Sequence, residues 1–111
     1  MILPFDGARF RDTSVTDRPG DWGELYDRTL RQVIRIGDVI TESAPPDREP
    51  YAFANDRILD EAVRIAAIYG EHPSAVVVWD GEDYGDGDLT ASFAAIATAK
   101  GIDVVHVSTL E

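Results

Sequence analysis

Hydrophobic residues change their spacing several times along this chain, and two long stretches have the period of an amphipathic helix. Between residues 22 and 33, apolar side chains recur at the i, i+3, i+4 and i+7 positions of one helix face. Asp21 stands at the expected N-cap, and Glu24 three residues later completes a capping-box pattern. Residues 51–69 show the same period, with a proline before them and a glycine after them. We therefore predict two long helices.

Shorter apolar runs predict the strands. Residues 75–79, Ala-Val-Val-Val-Trp, form a β-branched run typical of a strand that is buried on both faces of a helix-covered parallel sheet. Residues 102–107 supply a closing strand, and the N-terminal Met-Ile-Leu-Pro-Phe resembles the end of a strand that begins abruptly. We predict a further strand at residues 32–37, with a continuation of the preceding helix as the alternative.

Polar segments separate these elements. Residues 6–20 have no sustained period, so we interpret them as a long loop with room for one helical turn. Residues 43–50 contain three prolines and are predicted to form a surface loop. A helix of small residues is predicted at residues 89–100, after the acidic and glycine-rich segment 80–88.

The predicted order of elements is β, α, β, α, β, α, β. Strands that alternate with helices pair in parallel through right-handed crossovers. We therefore predict an α/β fold, a three-layer Rossmann-like or flavodoxin-like sandwich with a mainly parallel four-stranded sheet. Residues 1–111 would form a single domain, and the abrupt first strand suggests a module excised from a longer protein.

Composition and charge exclude several classes of function. Hydrophobic residues make up 44% of the chain and charged residues 28%, which is typical of a globular domain. The absence of cysteine excludes disulfides and thiolate catalysis. A formal net charge of −11 disfavours nucleic acids and anionic membranes as partners. No signal peptide or membrane-spanning run is apparent, so a cytoplasmic location is expected.

The segment 80–88 is the main functional candidate, because it would join a buried strand to a helix. Open α/β sheets bind ligands at the carboxyl ends of their strands, where glycine-rich turns present backbone N–H groups to phosphate. Gly81, Gly85 and Gly87 lie in this segment, and Thr90 follows with a hydroxyl. Their spacing matches neither the dinucleotide-binding G-x-G-x-x-G motif nor the Walker A motif. The pattern therefore predicts a site without naming a ligand or a cofactor.

The acidic residues of this segment leave two interpretations open. They are Asp80, Glu82, Asp83, Asp86 and Asp88. A phosphate would meet their negative charge, so either a divalent cation such as Mg²⁺ compensates or the ligand contributes hydroxyls or a positive charge. Alternatively, the acids solvate the turn and favour the N-terminus of the next helix. Asp80 directly follows the strand, where a functional and a capping role are equally consistent with its position.

Other polar residues are secondary candidates. Asn55 lies in the first turns of the second long helix, where it would hydrogen-bond a neighbouring loop or a ligand, and the structural bond is favoured. Arg9, Arg11 and Arg18 follow the first strand and would approach the same edge of a parallel sheet. The favoured alternative is that these arginines pair with nearby aspartates at the surface. Neither histidine has a triad partner at a recognisable spacing, and both tryptophans are expected in the core.

Several short motifs occur in the same order as in a known family. They are Leu3-Pro4-Phe5, Phe10, Ser14-Val15, Asp21-Trp22, Ala54-Asn55, Val78-Trp79-Asp80-Gly81, and Gly85-Asp86-Gly87 through Thr90. Together they resemble a bacterial Rossmann-like module of multidomain signalling proteins, similar to the SLOG and lysine-decarboxylase-like (LOG) superfamily. The resemblance implies a nucleotide-derived ligand and neighbouring domains of a longer chain as partners. The family's glycine pair and its catalytic Glu are absent around Thr90, which disfavours hydrolysis of the family's kind.

We therefore predict a non-catalytic sensor or regulatory module that binds a nucleotide-derived small molecule. One alternative is a protein-interaction or dimerisation module without a small ligand, in which a homodimer forms. A second alternative is a hydrolase of nucleotide or glycosidic bonds that uses Asp80. No metal ligand is assigned. The predicted ligand-binding residues are Trp79, Asp80, Gly81, Gly85, Gly87, Thr90, Asn55, Phe5 and Arg9.

Overall fold

The computed structural model describes residues 1–85 and 88–110, and within them the chain is a mixed α/β protein. The elements in chain order are β1 (Ile2–Leu3), α1 (Gly7–Ser14), α2 (Trp22–Arg35), β2 (Ile40–Thr41), α3 (Pro50–Tyr69), β3 (Ser74–Trp79), α4 (Leu89–Ala99) and β4 (Asp103–Ser108). They fall into two compact units, Met1–Pro50 and Tyr51–Glu111. The predicted α/β class is confirmed, with one more helix than the sequence pattern indicated.

The strands form two parallel pairs. In the first unit β1 pairs with β2, so that Ile2 lies opposite Ile40. In the second unit β3 pairs with β4 along six residues, from Ser74 opposite Asp103 to Trp79 opposite Ser108. The predicted parallel direction is therefore confirmed for both pairs. The described residues show two two-stranded sheets, and the single four-stranded sheet stays a prediction.

The long loop predicted for residues 6–20 was wrong in its first half, because helix α1 forms there. The Asp6 carboxylate accepts a hydrogen bond from the backbone N–H of Arg9 and caps the helix. No residue of α1 is fully buried, so the helix lacks the apolar stripe by which a sequence pattern is recognised. Its Phe10 ring nevertheless packs between Phe5 and Tyr26, at centroid distances of 6.2 Å and 5.9 Å. These three rings connect the segment before α1 with α1 and α2 in the first unit.

The strand predicted at residues 32–37 was also wrong, and the alternative of a continuing helix is confirmed up to Arg35. Gly37 ends the helix with a φ of 78°, a left-handed conformation that glycine adopts without a steric cost. The Gly37 N–H donates to the Ile34 carbonyl at 3.0 Å. The strand forms later, at Ile40–Thr41. Asp21 occupies the predicted N-cap position of α2, but its side chain makes no capping hydrogen bond.

The second unit has its core on one face of the β3–β4 pair. Leu59 of α3 and Ala97 of α4 are buried there together with Ala75 of β3. The opposite face carries four valines, which are 46–64% exposed: Val76, Val78, Val105 and Val107. The prediction that residues 75–79 are buried on both faces was therefore wrong. Burial alternates along β3, as it does in a sheet with helices packed against one face.

None of the helices within residues 1–85 and 88–110 combines the length and the apolar character that a membrane crossing requires.

Candidate functional site

An open cavity of about 540 Å³ lies at the carboxyl end of the β3–β4 pair. Because the strands are parallel, the residues that follow β3 and β4 meet at the same edge, and the Thr109 N–H donates to the Trp79 carbonyl at 3.1 Å. The start of α4 forms another wall. The lining residues are Val78, Trp79, Asp80, Tyr84, Asp88, Thr90 and Thr109. The segment singled out in the sequence therefore borders a cavity of the size that small molecules occupy.

Both carboxylate oxygens of Asp80 hold the loop together. Oδ1 accepts a hydrogen bond from the Glu82 backbone N–H at 2.9 Å, and Oδ2 accepts one from the Tyr84 hydroxyl. The Tyr84 bond, followed by the Glu82 bond, lowers the pKa of Asp80 below its ordinary value, and the same contact raises the pKa of Tyr84. A general acid or base works best with a pKa near the operating pH, and Asp80 is shifted away from it.

Asp88 serves as the N-cap of α4. Its Oδ1 accepts hydrogen bonds from the backbone N–H groups of Thr90 and Ala91, both at 3.1 Å, and its Oδ2 accepts one from the Tyr84 N–H. These bonds, that of Ala91 first, lower the pKa of Asp88. The free N–H groups at the start of a helix are the ones that bind phosphate, and here the protein's own carboxylate occupies two of them. Asp88 was missing from the predicted site, although an Asp directly before a helix is a recognisable N-cap signal.

Trp79 is half-buried and faces the cavity, so its predicted place in the core was only partly correct. The indole Nε1–H donates to the Glu82 carbonyl at 3.0 Å, and the ring lies 5.6 Å from the His106 ring between centroids. His106 Nε2 lies 2.9 Å from the Trp79 carbonyl oxygen. Because a carbonyl oxygen can only accept a hydrogen bond, this bond needs a proton on Nε2. No sequence signal pointed to His106 at this site, because its role depends on the register of β3 with β4.

The two described glycines of the loop make turns. Gly81 and Gly85 have φ values of 87° and 98°, in the left-handed region that other residues rarely adopt. A Cβ atom at Gly81 would lie 3.3 Å from Cε1 of His106, so the backbone also passes close to that ring. Gly87, the third predicted glycine, and Asp86 lie outside the described residues. The glycines that are described therefore let the loop fold back over the strand ends.

Replacement of Gly81 by alanine is expected to lower the free energy of unfolding by about 1–2 kcal/mol, because the left-handed conformation disfavours a side chain. The added methyl group would also press on His106. Gly70→Ala is the matched control, since Gly70 has a φ of 65° and a methyl group added there would meet no atom within 4 Å. Urea denaturation measures the free energy of unfolding of both variants. Because both positions have a left-handed backbone, any larger loss in Gly81→Ala reports the contact with His106. A Gly81→Ala protein as stable as the wild type would contradict the described turn.

The remaining predicted site residues are divided between the two units. Asn55 of α3 donates from Nδ2 to the Leu89 carbonyl at 3.4 Å, which supports the structural alternative of linking two helices. Phe5 and Arg9 belong to the first unit, where the Arg9 guanidinium lies 4.3 Å from the centre of the Phe5 ring. The structure thus groups Trp79, Asp80 and Thr90 around one cavity.

The other two arginines near the N-terminus form surface ion pairs. Arg18 contacts Asp17, and Arg11 pairs with Asp27 of α2 through two hydrogen bonds of 2.8 Å and 3.1 Å. Pairing with a nearby aspartate is therefore confirmed for Arg18, whereas Arg11 pairs with an aspartate of α2 and not with one of its own segment. Exposed pairs of this kind contribute at most about 1 kcal/mol each.

Within residues 1–85 and 88–110, no group of three or more His, Asp or Glu side chains is placed to hold a metal ion. Comparisons with known proteins add no relative: no family model, no curated protein and no solved structure matches this chain. The resemblance to the SLOG and LOG superfamily therefore rests on the short motifs and stays a prediction.

Proposed function

We propose that this chain is a non-catalytic regulatory module that binds a nucleotide-derived small molecule at the carboxyl ends of β3 and β4. The observation that carries the proposal is the cavity of about 540 Å³ at that edge of the sheet. Its walls combine an indole ring, three hydroxyl groups and two carboxylates. In small-molecule sites an aromatic surface packs against a ligand ring and polar groups fix its orientation, and here Trp79 offers the first and the hydroxyls and carboxylates offer the second.

The charges around the cavity support one orientation of such a ligand. No Lys, Arg or His is among its described lining residues, whereas Asp80 and Asp88 are. A carboxylate has about four acceptor positions, so both can accept further hydrogen bonds from ligand amino or hydroxyl groups. A phosphate would meet negative charge and an N-terminus of α4 that Asp88 already caps. The base and the ribose would therefore face the cavity, and any phosphate would point to solvent.

The hydrolase alternative is less well supported. Asp80 has both oxygens engaged and a lowered pKa, which disfavours proton transfer near neutral pH. The Rossmann-like sandwich with one four-stranded sheet is part of the same proposal. Its support is the parallel pairing in both units and the alternation of strands with helices. A place in a multidomain bacterial signalling protein rests on the sequence resemblance.

A titration of the whole chain with adenosine, AMP and NAD, with and without Mg²⁺, tests the proposal. Amide shifts in ¹⁵N-labelled protein are expected at Gly81 and Thr90, because both lie beside the cavity. Trp79→Ala is expected to remove these shifts, since it removes the stacking surface. Trp22→Ala provides the matched control, because Trp22 belongs to the other unit. If none of the three compounds shifts these amides, the proposal is contradicted.

The exposed valines favour a second candidate function, a protein-interaction module. Val76 and Val78 lie opposite Val105 and Val107 in the register of β3 with β4, and together they form an exposed apolar face. Contiguous exposed apolar surface is typical of protein contact sites, and a homodimer or a neighbouring domain would cover it. A chain that is dimeric in light scattering, monomeric as Val76→Thr/Val105→Thr, and unresponsive to nucleosides would favour this candidate.

A further inference from the structure

A second cavity lies within the first unit, beside the N-terminal half of α2. It has a volume of about 350 Å³. Val15, at the end of α1, forms one wall, and Trp22, Leu25 and Tyr26 of α2 form another. The volume is within the range of small-molecule sites, and the lining is mostly apolar. The proposed nucleotide-derived ligand does not involve this cavity.

Two aromatic side chains that line this cavity differ in the contacts that hold them in place. Tyr26 is fixed, because its hydroxyl donates to the Gly7 carbonyl at 3.0 Å and its ring packs on Phe10. Trp22 is 51% exposed, so its predicted place in the core was wrong, although it lies on the apolar stripe of α2 with Leu25 and Tyr26. An exposed indole over a preformed apolar cavity offers a flat surface on which an aromatic ring can stack.

Among the described lining residues of this cavity, the charged side chain is that of an arginine, in a chain whose net charge is −11. Arg18 lines the cavity, and neither Asp nor Glu is among its described lining residues. The Nε of Arg18 is 3.2 Å from a carboxylate oxygen of Asp17, and within the described part of the chain its terminal nitrogens have no hydrogen-bond partner. A guanidinium presents its donors in the geometry that a carboxylate accepts.

We propose that this cavity binds a small aromatic carboxylate, with its ring against Trp22 and its carboxylate paired with Arg18. The apolar walls supply the affinity for the ring, and the arginine selects an anion over a neutral analogue. This site shares no lining residue with the cavity at the carboxyl ends of β3 and β4, since all its lining residues belong to the first unit.

A matched pair of probes tests this site: indole-3-acetate and its neutral amide, indole-3-acetamide. The acid is expected to bind about tenfold more tightly than the amide, because a charge-assisted hydrogen bond is worth more than a neutral one. Titrations followed by ¹⁵N shifts of the Trp22 indole measure both affinities. Arg18→Gln is expected to weaken binding of the acid about tenfold and to leave the amide unchanged.

Two controls keep the outcome decisive. Arg31→Gln removes an arginine of α2 that does not line the cavity, and it should leave both affinities unchanged. Trp22→Ala lacks the indole signal, so its titrations are followed by the backbone amide shifts of Tyr26 and Thr29, which also line the cavity. This variant should bind neither probe, with far-UV circular dichroism confirming that it is folded. The proposal is overturned if the acid and the amide bind with equal affinity, or if neither binds. It is overturned as well if Arg31→Gln weakens binding of the acid as much as Arg18→Gln does. It is also overturned if the Trp22 signal changes on dilution without a probe, which would show that a second copy covers the cavity.

Discussion

Replacement of Leu59 by alanine is expected to lower the free energy of unfolding by about 2–5 kcal/mol. Leu59 is 2% exposed and joins α3 to Ala75 of β3 and Ala97 of α4. Two of its core neighbours are alanines, whose side chains are too short to fill the space left by the missing leucine atoms. The cavity would therefore persist, and the loss would be a large part of the total stability of a domain of this size.

The measurement is urea denaturation followed by far-UV circular dichroism. Ile68→Ala is the matched control, because Ile68 lies on the same helix and is 65% exposed. Its loss of stability should stay within about 0.5 kcal/mol, as is usual for an exposed position. Equal losses in the two variants would contradict the position of the core on the α3 and α4 side of the sheet.

The second large effect expected is discrimination against phosphate at the β3–β4 edge. Adenosine should bind at least about tenfold more tightly than AMP at low salt, because a dianionic phosphate near two ionised carboxylates is repelled. The lowered pKa values of Asp80 and Asp88 keep both carboxylates charged at neutral pH. Isothermal titration calorimetry at low and at roughly physiological salt would measure the ratio, which should shrink as salt screens the charges.

The variant that isolates this effect is Asp88→Asn. Asparagine caps a helix about as well as aspartate, so its Oδ1 should keep the bonds to the α4 N-terminus. The variant removes one negative charge and also the hydrogen bond from the Tyr84 N–H, because the amide nitrogen cannot accept it. The ratio of the affinity for adenosine to the affinity for AMP should then fall several-fold. Glu82→Gln removes a neighbouring charge that does not line the cavity, and its effect should be smaller. If AMP binds as tightly as adenosine in the wild type, the orientation of the ligand is wrong, while adenosine binding itself would still support a site at this edge.

Two elements show why periodicity is an incomplete guide to this fold. Helix α1 was missed because none of its residues is fully buried, although Asp6 provided an N-cap signal at its start. The strand at residues 32–37 was predicted because apolar residues continue there without a break. Ile34 and Ile36 are in fact exposed, and Gly37 ends the helix. Apolar residues predict burial well only where another element covers them.

The candidate site was likewise predicted from the sequence only in part. The position of Asp80 directly after a strand, and of Thr90 in the first turn of a helix, followed from local sequence signals that the structure reproduces. Which of their two predicted roles the acidic residues have did not follow from the sequence. Asp80 and Asp88 accept hydrogen bonds from Glu82, Tyr84 and the start of α4, and these bonds exist only once the loop has folded back.

Local chemistry was thus sufficient for the α/β class, the long helices, the strand ahead of the acidic loop and the parallel direction of pairing. Capping residues, glycine turns and apolar period act over a few neighbouring residues, and the sequence contains them directly. The contact of Trp79 with His106, the single buried face of β3 and the cavity beside Trp22 depended on the folded chain. Each of them joins residues from different elements, and the distances between these residues are set by packing contacts that form only when the elements come together.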